Sequence, residues 1–181
     1  MAYEPQDWFE SNSWHLEDNH LASLGTSYFE YLSYTQPVTP PVRVEYDFIG
    51  DPDRINDWFQ AITLTPRNQV GGRRLWGSGI NPTAGAGYML APGWNRNPNS
   101  AAIWRNEKQV LTNLKSPLLE AGKTRHIIAQ FSPQRILLVV DGEVSLDFKD
   151  TEWLKGLDAV SLMNGFGQDW FDNVRIYEVR P

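Results

Sequence analysis

In the segment VRVEYDF (residues 42–48), Val42, Val44, Tyr46 and Phe48 alternate with Arg43, Glu45 and Asp47, the period of an extended strand with one apolar and one wet face. That period recurs along the chain, whereas the 3.6-residue period of an amphipathic helix is not sustained over any window of about 11 residues. Strands are expected in YFEYLSY (28–34), WFQAITL (58–64), AGYMLA (86–91), AAIWR (101–105), RHIIAQF (125–131), QRILLVV (134–140), EVSLDF (143–148), AVSLM (159–163) and WFDNVRIYEV (170–179). Helical turns are expected only near 51–58 and 116–122, the second stopped by Gly122. Short strands spaced by turn signals predict an all-β chain folded as an antiparallel two-sheet β-sandwich or a closed barrel.

The firmest local signal is QRILLVVDGEVSLDF, because Asp141-Gly142 between two apolar runs supplies the positive φ angles of a two-residue hairpin turn. In ILLVV both faces are apolar, which an edge strand would not show, so this strand is expected to lie central in its sheet. The chain has 181 residues with no repeat or linker, so one domain spanning 1–181 is expected. Its lack of cysteine excludes disulfides and thiolate metal sites. A net charge of −6 argues against reading a phosphate backbone. No apolar run reaches the roughly 18 residues of a membrane span. The opening MAYEPQDWFESNSW lacks the basic and apolar regions of a leader, so a soluble, cytoplasmic protein is expected.

Three segments carry a resemblance: the strand EYDF, the hairpin RHIIAQFSPQRILLVVDGEVSLDFKD and the closing WFDNVRIYEV. Together they resemble the concanavalin A-like (laminin G and galectin-like) jelly-roll superfamily. The resemblance implies a jelly-roll sandwich and, by analogy of fold, carbohydrate as the partner. Glucanases of that superfamily carry a motif resembling Glu-x-Asp-x-(x)-Glu on one strand. Here Glu45 and Asp47 supply its first two members, but Ile49 or Gly50 stands at the third, so the motif lacks its acid/base. Within the closing strand Asp172 shares parity with Val174 and Ile176, which points its carboxylate to the apolar side and Asn173 outward.

No metal ligand set is expected. Asp51, Asp53 and Asp57 fail the calcium-loop pattern at Ile55, Asn56 and Ile62, and His15, His20 and His126 lack zinc spacing. No cofactor is implied, since the glycine clusters match no nucleotide loop; structural calcium held by loop carbonyls is compatible with the fold but has no motif. The strongest binding signal is GRRLWGSG followed by PGWNRNPNSAAIWRN, where indoles suit sugar ring faces and Asn or Arg suits hydroxyls. Trp76, Trp94, Trp104, Arg73, Asn95, Arg96 and Arg105 are therefore the expected sugar-binding residues. The function expected is non-catalytic carbohydrate binding. Two alternatives stay open: a carbohydrate-active enzyme using Glu45, Asp47, Glu107 or His126, and a protein-interaction or homo-oligomeric sandwich.

Overall fold

The computed structural model describes residues 8–10, 14–17, 20–23, 30–51, 59–67, 87–94, 97–106, 108–117, 119–165 and 167–179. The strands are β1 (Trp8–Glu10), β2 (Trp14–Glu17), β3 (His20–Ser23), β4 (Glu30–Tyr34), β5 (Val42–Ile49), β6 (Phe59–Thr65) and β7 (Tyr88–Trp94). They continue as β8 (Asn97–Arg105), β9 (Lys108–Asn113), β10 (Thr124–Ser132), β11 (Arg135–Val140), β12 (Glu143–Lys149), β13 (Ala159–Gly165) and β14 (Trp170–Glu178). The first sheet runs β1-β4-β13-β6-β7-β8-β9 and the second β12-β11-β10-β5-β14-β3-β2, with antiparallel neighbours throughout. This is the expected two-sheet antiparallel sandwich.

The alternation in residues 42–48 becomes physical here. Val42, Val44, Tyr46 and Phe48 face the core, while Arg43, Glu45 and Asp47 stay half-buried on the outside. Ile62 and Leu64 of β6, Leu90 of β7 and Leu162 of β13 close the core from the first sheet. Phe171 sits among Trp14, Tyr46 and Phe48 at ring separations of 5.3, 5.6 and 5.5 Å, and each such buried side chain is worth about 1.5–3 kcal/mol of transfer free energy. Between the sheets the Tyr46 hydroxyl donates to Gln60 Oε1 at 2.8 Å, so that buried polar group is satisfied.

The Asp141-Gly142 turn has φ of 50° and 83° at its two centres, and it joins β11 to β12. β11 has a partner on each side, so it is not an edge strand, and it lies one place in from the sheet edge. Four strands, β1, β2, β3 and β9, lie outside the segments read as strands from sequence. They are short and mixed in polarity, and their pairing comes from neighbours already in place. The described part of 116–122 is not helical: Ala121 bridges Gly50 in parallel and Gly122 N donates to Gly50 O at 3.0 Å. Burial of Leu119 in the core favours that extended course over a local turn. The other expected helical turn falls on 52–58, outside the described residues.

The closing strand contains a second departure. Its register with β5 slips between Asp172 and Arg175, and Asn173 takes a φ of 52°. This is a β-bulge, in which one extra residue reverses the parity of what precedes it. Asp172 therefore pairs with Asp47 on the outer face instead of pointing with Val174 into the core.

Candidate functional site

The sandwich has two outward faces of different character. On the first sheet the face turned away from the main core carries Ala61, Met89, Ala91, Ala102 and Met163 at 0–1% exposure, with Trp104 at 4%. Trp104, expected from sequence to meet sugar, is packed here in a second apolar cluster. The fork of Arg105 is also committed: Nη1 donates to Asp150 Oδ1 at 2.7 Å and Nη2 pairs with Glu152 Oε2 at 2.8 Å. Asp150 is buried and also accepts from the Tyr88 hydroxyl, which in turn accepts from Leu154 N at 3.0 Å. Burial and then the Asp150 carboxylate push the Tyr88 pKa well above its ordinary value. Arg105, expected from sequence as a ligand contact, here pairs with Asp150 and Glu152 in this network.

The outer face of the second sheet is open and ionisable. His126 on β10 stands opposite Asp47 on β5, and Asp47 stands opposite Asp172 on β14. Beyond Asp172, at 3.5 Å from its Oδ2, lies Nδ1 of His20 on β3, which pairs in turn with Glu17 on β2. Directly opposed residues share a face, so His126, Asp47, Asp172, His20 and Glu17 form one row across five strands. Strand spacings of about 4.8 Å make such a row about 19 Å long.

Local structure holds each member. The turn residue Asp141 accepts His126 N–H through Oδ1 at 2.8 Å, returns its own N–H to His126 O at 2.8 Å and accepts Arg125 Nη1 at 2.6 Å. The Asp-Gly hairpin thereby fixes the strand position of His126, whose Nδ1 lies 2.8 Å from Asp47 Oδ1. The bulge residue Asn173 donates from Nδ2 to Asp47 Oδ2 at 2.7 Å, and its N–H donates to Asp172 Oδ1 at 2.7 Å. At the far end Glu17 Oε2 accepts from Trp170 Nε1 at 3.1 Å and from Gln168 Nε2 at 3.0 Å. Arg43 pairs with Glu45 on the same face, Arg175 lies opposite Glu45, and Tyr177 is 39% exposed opposite Arg43.

Of the residues singled out from sequence, Glu45, Asp47 and His126 come together here, on the sheet opposite Trp104. Asp172, His20, Glu17 and Trp170 join them unannounced. The bulge hid Asp172, and only strand order brings His20 and Glu17 alongside. Arg73, Trp76, Asn95, Arg96 and Glu107 lie outside the described residues, as does the side chain of Trp94, whose backbone ends β7. Carboxylates that accept, amide and indole N–H groups that donate, and imidazoles that do either make a surface suited to polyhydroxylated ligands. The row also contains proton-transfer groups, though on an open sheet face.

No family model matches the chain, and no curated protein does. Solved structures do. The carbohydrate-binding module CBM66 from Bacillus subtilis is 12% identical, with 95% of this chain and 96% of that one covered at a TM-score of 0.69. The metal-free carbohydrate recognition domain of Emp46p is 14% identical, covering 97% and 90% at 0.70. A Bacillus subtilis protein of unknown function with a galectin-like fold is 10% identical, covering 97% and 91% at 0.72. At these identities the likeness is one of fold, a galectin-like antiparallel β-sandwich.

Proposed function

We propose that this protein is a carbohydrate-binding β-sandwich and that an oligosaccharide lies along the outer face of its second sheet. The observation that carries the reading is the row from His126 through Asp47, Asp172 and His20 to Glu17, in register across five strands. Sugar hydroxyls donate and accept, so a line of fixed acceptors and donors about 19 Å long suits several consecutive sugar residues. Trp170 and Tyr177, toward the two ends of β14, supply flat apolar surface for stacking. Solved structures of similar fold that are described as a carbohydrate-binding module and a carbohydrate recognition domain support the ligand class.

A second reading places stacking on Trp76 and Trp94, with Arg73, Asn95 and Arg96 as hydrogen-bonding groups. Its support is topological: residues 68–86 immediately precede β7 and residues 95–96 immediately follow it, so both stretches are tied to one strand of the first sheet.

A panel of neutral and uronic-acid oligosaccharides, read by intrinsic Trp fluorescence with product analysis on every hit, tests both. Saturable binding lost in Asp47→Asn and Trp170→Ala but kept in Trp94→Ala supports the row. The reverse pattern supports the β7 loops. Cleaved product moves the assignment to a carbohydrate-active enzyme, and no response to any sugar overturns carbohydrate binding.

A further inference from the structure

Hydrogen-bond direction along the row from His126 to Glu17 limits what its ligand can be. A carboxylate only accepts, so His126 Nδ1, 2.8 Å from Asp47 Oδ1, carries the ring hydrogen, and Nε2 of the neutral imidazole is left as an acceptor. Nδ1 of His20 faces Asp172 Oδ2 at 3.5 Å, which favours the same tautomer. The Asn173 amide donates to Asp47 and the Asn173 N–H to Asp172, both at 2.7 Å. Glu17 Oε2 accepts the Trp170 indole N–H at 3.1 Å and a Gln168 amide hydrogen at 3.0 Å. The donors of this surface are thus turned inward on its carboxylates. What they leave for a ligand is mainly lone pairs: those of the three carboxylates, of both imidazoles and of the amide oxygens of Asn173 and Gln168.

Charge points the same way. Asp47, Asp172 and Glu17 keep part of their side-chain surface in water, and no Lys or Arg stands in the row with them. The nearby guanidinium groups of Arg43 and Arg175 belong with Glu45, the first by an ion pair and the second by register. Among the described residues, no three His, Cys, Asp or Glu side chains converge as a metal site. The carboxylates are instead strung along a line, on β5, β14 and β2, with spacings of roughly 4.8 and 9.6 Å, which suits a ligand whose positive charges are also strung out.

A line of acceptors with excess negative charge disfavours a uronic acid, whose carboxylate meets like charge without a donor, and an N-acetyl group, whose carbonyl needs one. A free sugar amine meets both conditions: as an ammonium it offers three donors and no acceptor, and its bonds to carboxylates are charge-assisted. Resting on the carbohydrate reading above, we infer that the oligosaccharide of this row is built of amino sugars with unacetylated, protonated amines. The flat ring of Trp170, held beside the row by Glu17, favours a sugar over a basic peptide.

The test titrates the full chain by calorimetry, near neutral pH at low and high salt, with tetramers of glucosamine, N-acetylglucosamine, glucose and galacturonic acid and with tetralysine. The expected result is affinity for the glucosamine tetramer at least about tenfold above that for the glucose and N-acetylglucosamine tetramers, with a preference that shrinks at high salt. The galacturonic acid tetramer is expected to show no binding. Asp172→Asn and Glu17→Gln each remove most of the preference, while Glu143→Gln, which deletes the same charge at an exposed position of β12, keeps it. Glu17 is exposed on the edge strand β2, so its variant reads the row even where Asp172→Asn fails to fold. Equal affinity for the glucosamine and glucose tetramers, or a preference unchanged in folded Glu17→Gln protein, overturns the amino-sugar assignment and leaves the carbohydrate reading standing. Tetralysine that binds as tightly as the glucosamine tetramer and competes with it overturns the assignment in favour of a basic peptide. No binding of any of the four sugars overturns both.

Discussion

Asp47 and Asp172 face each other across β5 and β14, and the bulge residue Asn173 that turns Asp172 to that face also donates its side-chain amide to Asp47 at 2.7 Å. Two carboxylates side by side repel unless donors or cations surround them. Here the Asn173 side chain and His126 contact Asp47, and the Asn173 N–H donates to Asp172. Asp47 and Asp172 keep 23% and 40% of their side-chain surface exposed, where hydroxyl groups can reach them.

Replacing Asp47 with Asn removes a charged acceptor while keeping its shape. Hydrogen bonds to charged groups contribute about 1.5–3 kcal/mol, so oligosaccharide affinity is expected to fall by about 10–100-fold. Fluorescence titration measures it, and an unchanged circular dichroism spectrum separates the effect from misfolding.

The bulge itself is testable at Asn173. A β-branched residue tolerates the left-handed backbone poorly, so Asn173→Val is expected to destabilise by about 1–2 kcal/mol. Asn173→Gly keeps the bulge and loses only the bond to Asp47. Urea denaturation should therefore rank the valine variant as the less stable, with sugar affinity reduced in both.

Tyr88 and Arg105 converge on the buried Asp150. Tyr88→Phe removes the donor to that carboxylate and the acceptor of Leu154 N–H, a loss of about 1–3 kcal/mol. Arg105→Ala removes the charge that balances Asp150. Because both act on one carboxylate, the double variant is expected to deviate from additivity, which a double-mutant cycle in urea detects.

Trp104→Ala tests whether that indole packs or binds. Truncating a buried aromatic costs about 3–5 kcal/mol, so a large drop in the urea midpoint is expected. Sugar affinity of the folded fraction should stay at the wild-type value, and a selective loss of binding without loss of stability contradicts the packing role.

Arg135 donates Nε to Asp147 Oδ1 at 2.9 Å and Nη2 to Asp147 Oδ2 at 3.0 Å. This hydrogen bond, with the positive charge behind it, holds the Asp147 carboxyl below the ordinary carboxylate value of 3.8. A depressed folded-state pKa contributes stability that is present above the unfolded value and lost as pH falls through the folded one. The window therefore lies below about pH 4, and exposure of the pair keeps the effect small. Asp147→Asn should flatten that part of the acid-unfolding curve, and high salt should mimic the variant.

Alternating residues in 42–48 and the Asp141-Gly142 pair fixed two strands and one turn locally, because side-chain direction along a strand and positive φ at a turn depend on neighbours in the chain. The two-sheet sandwich followed from repeating those signals. The same reasoning misread Asp172, since parity counting assumes no inserted residue and the bulge at Asn173 inserts one. The burial of Trp104 was not legible either, because an indole in an alternating strand looks the same whether its face meets solvent or is sealed. Glu45, Asp47 and His126 were visible as residues but not as neighbours of Asp172, His20 and Glu17. That row exists only because β10, β5, β14, β3 and β2 lie side by side in an order unrelated to their order in the chain. Local sequence decides which way a side chain points; the packing of distant strands decides what it meets there.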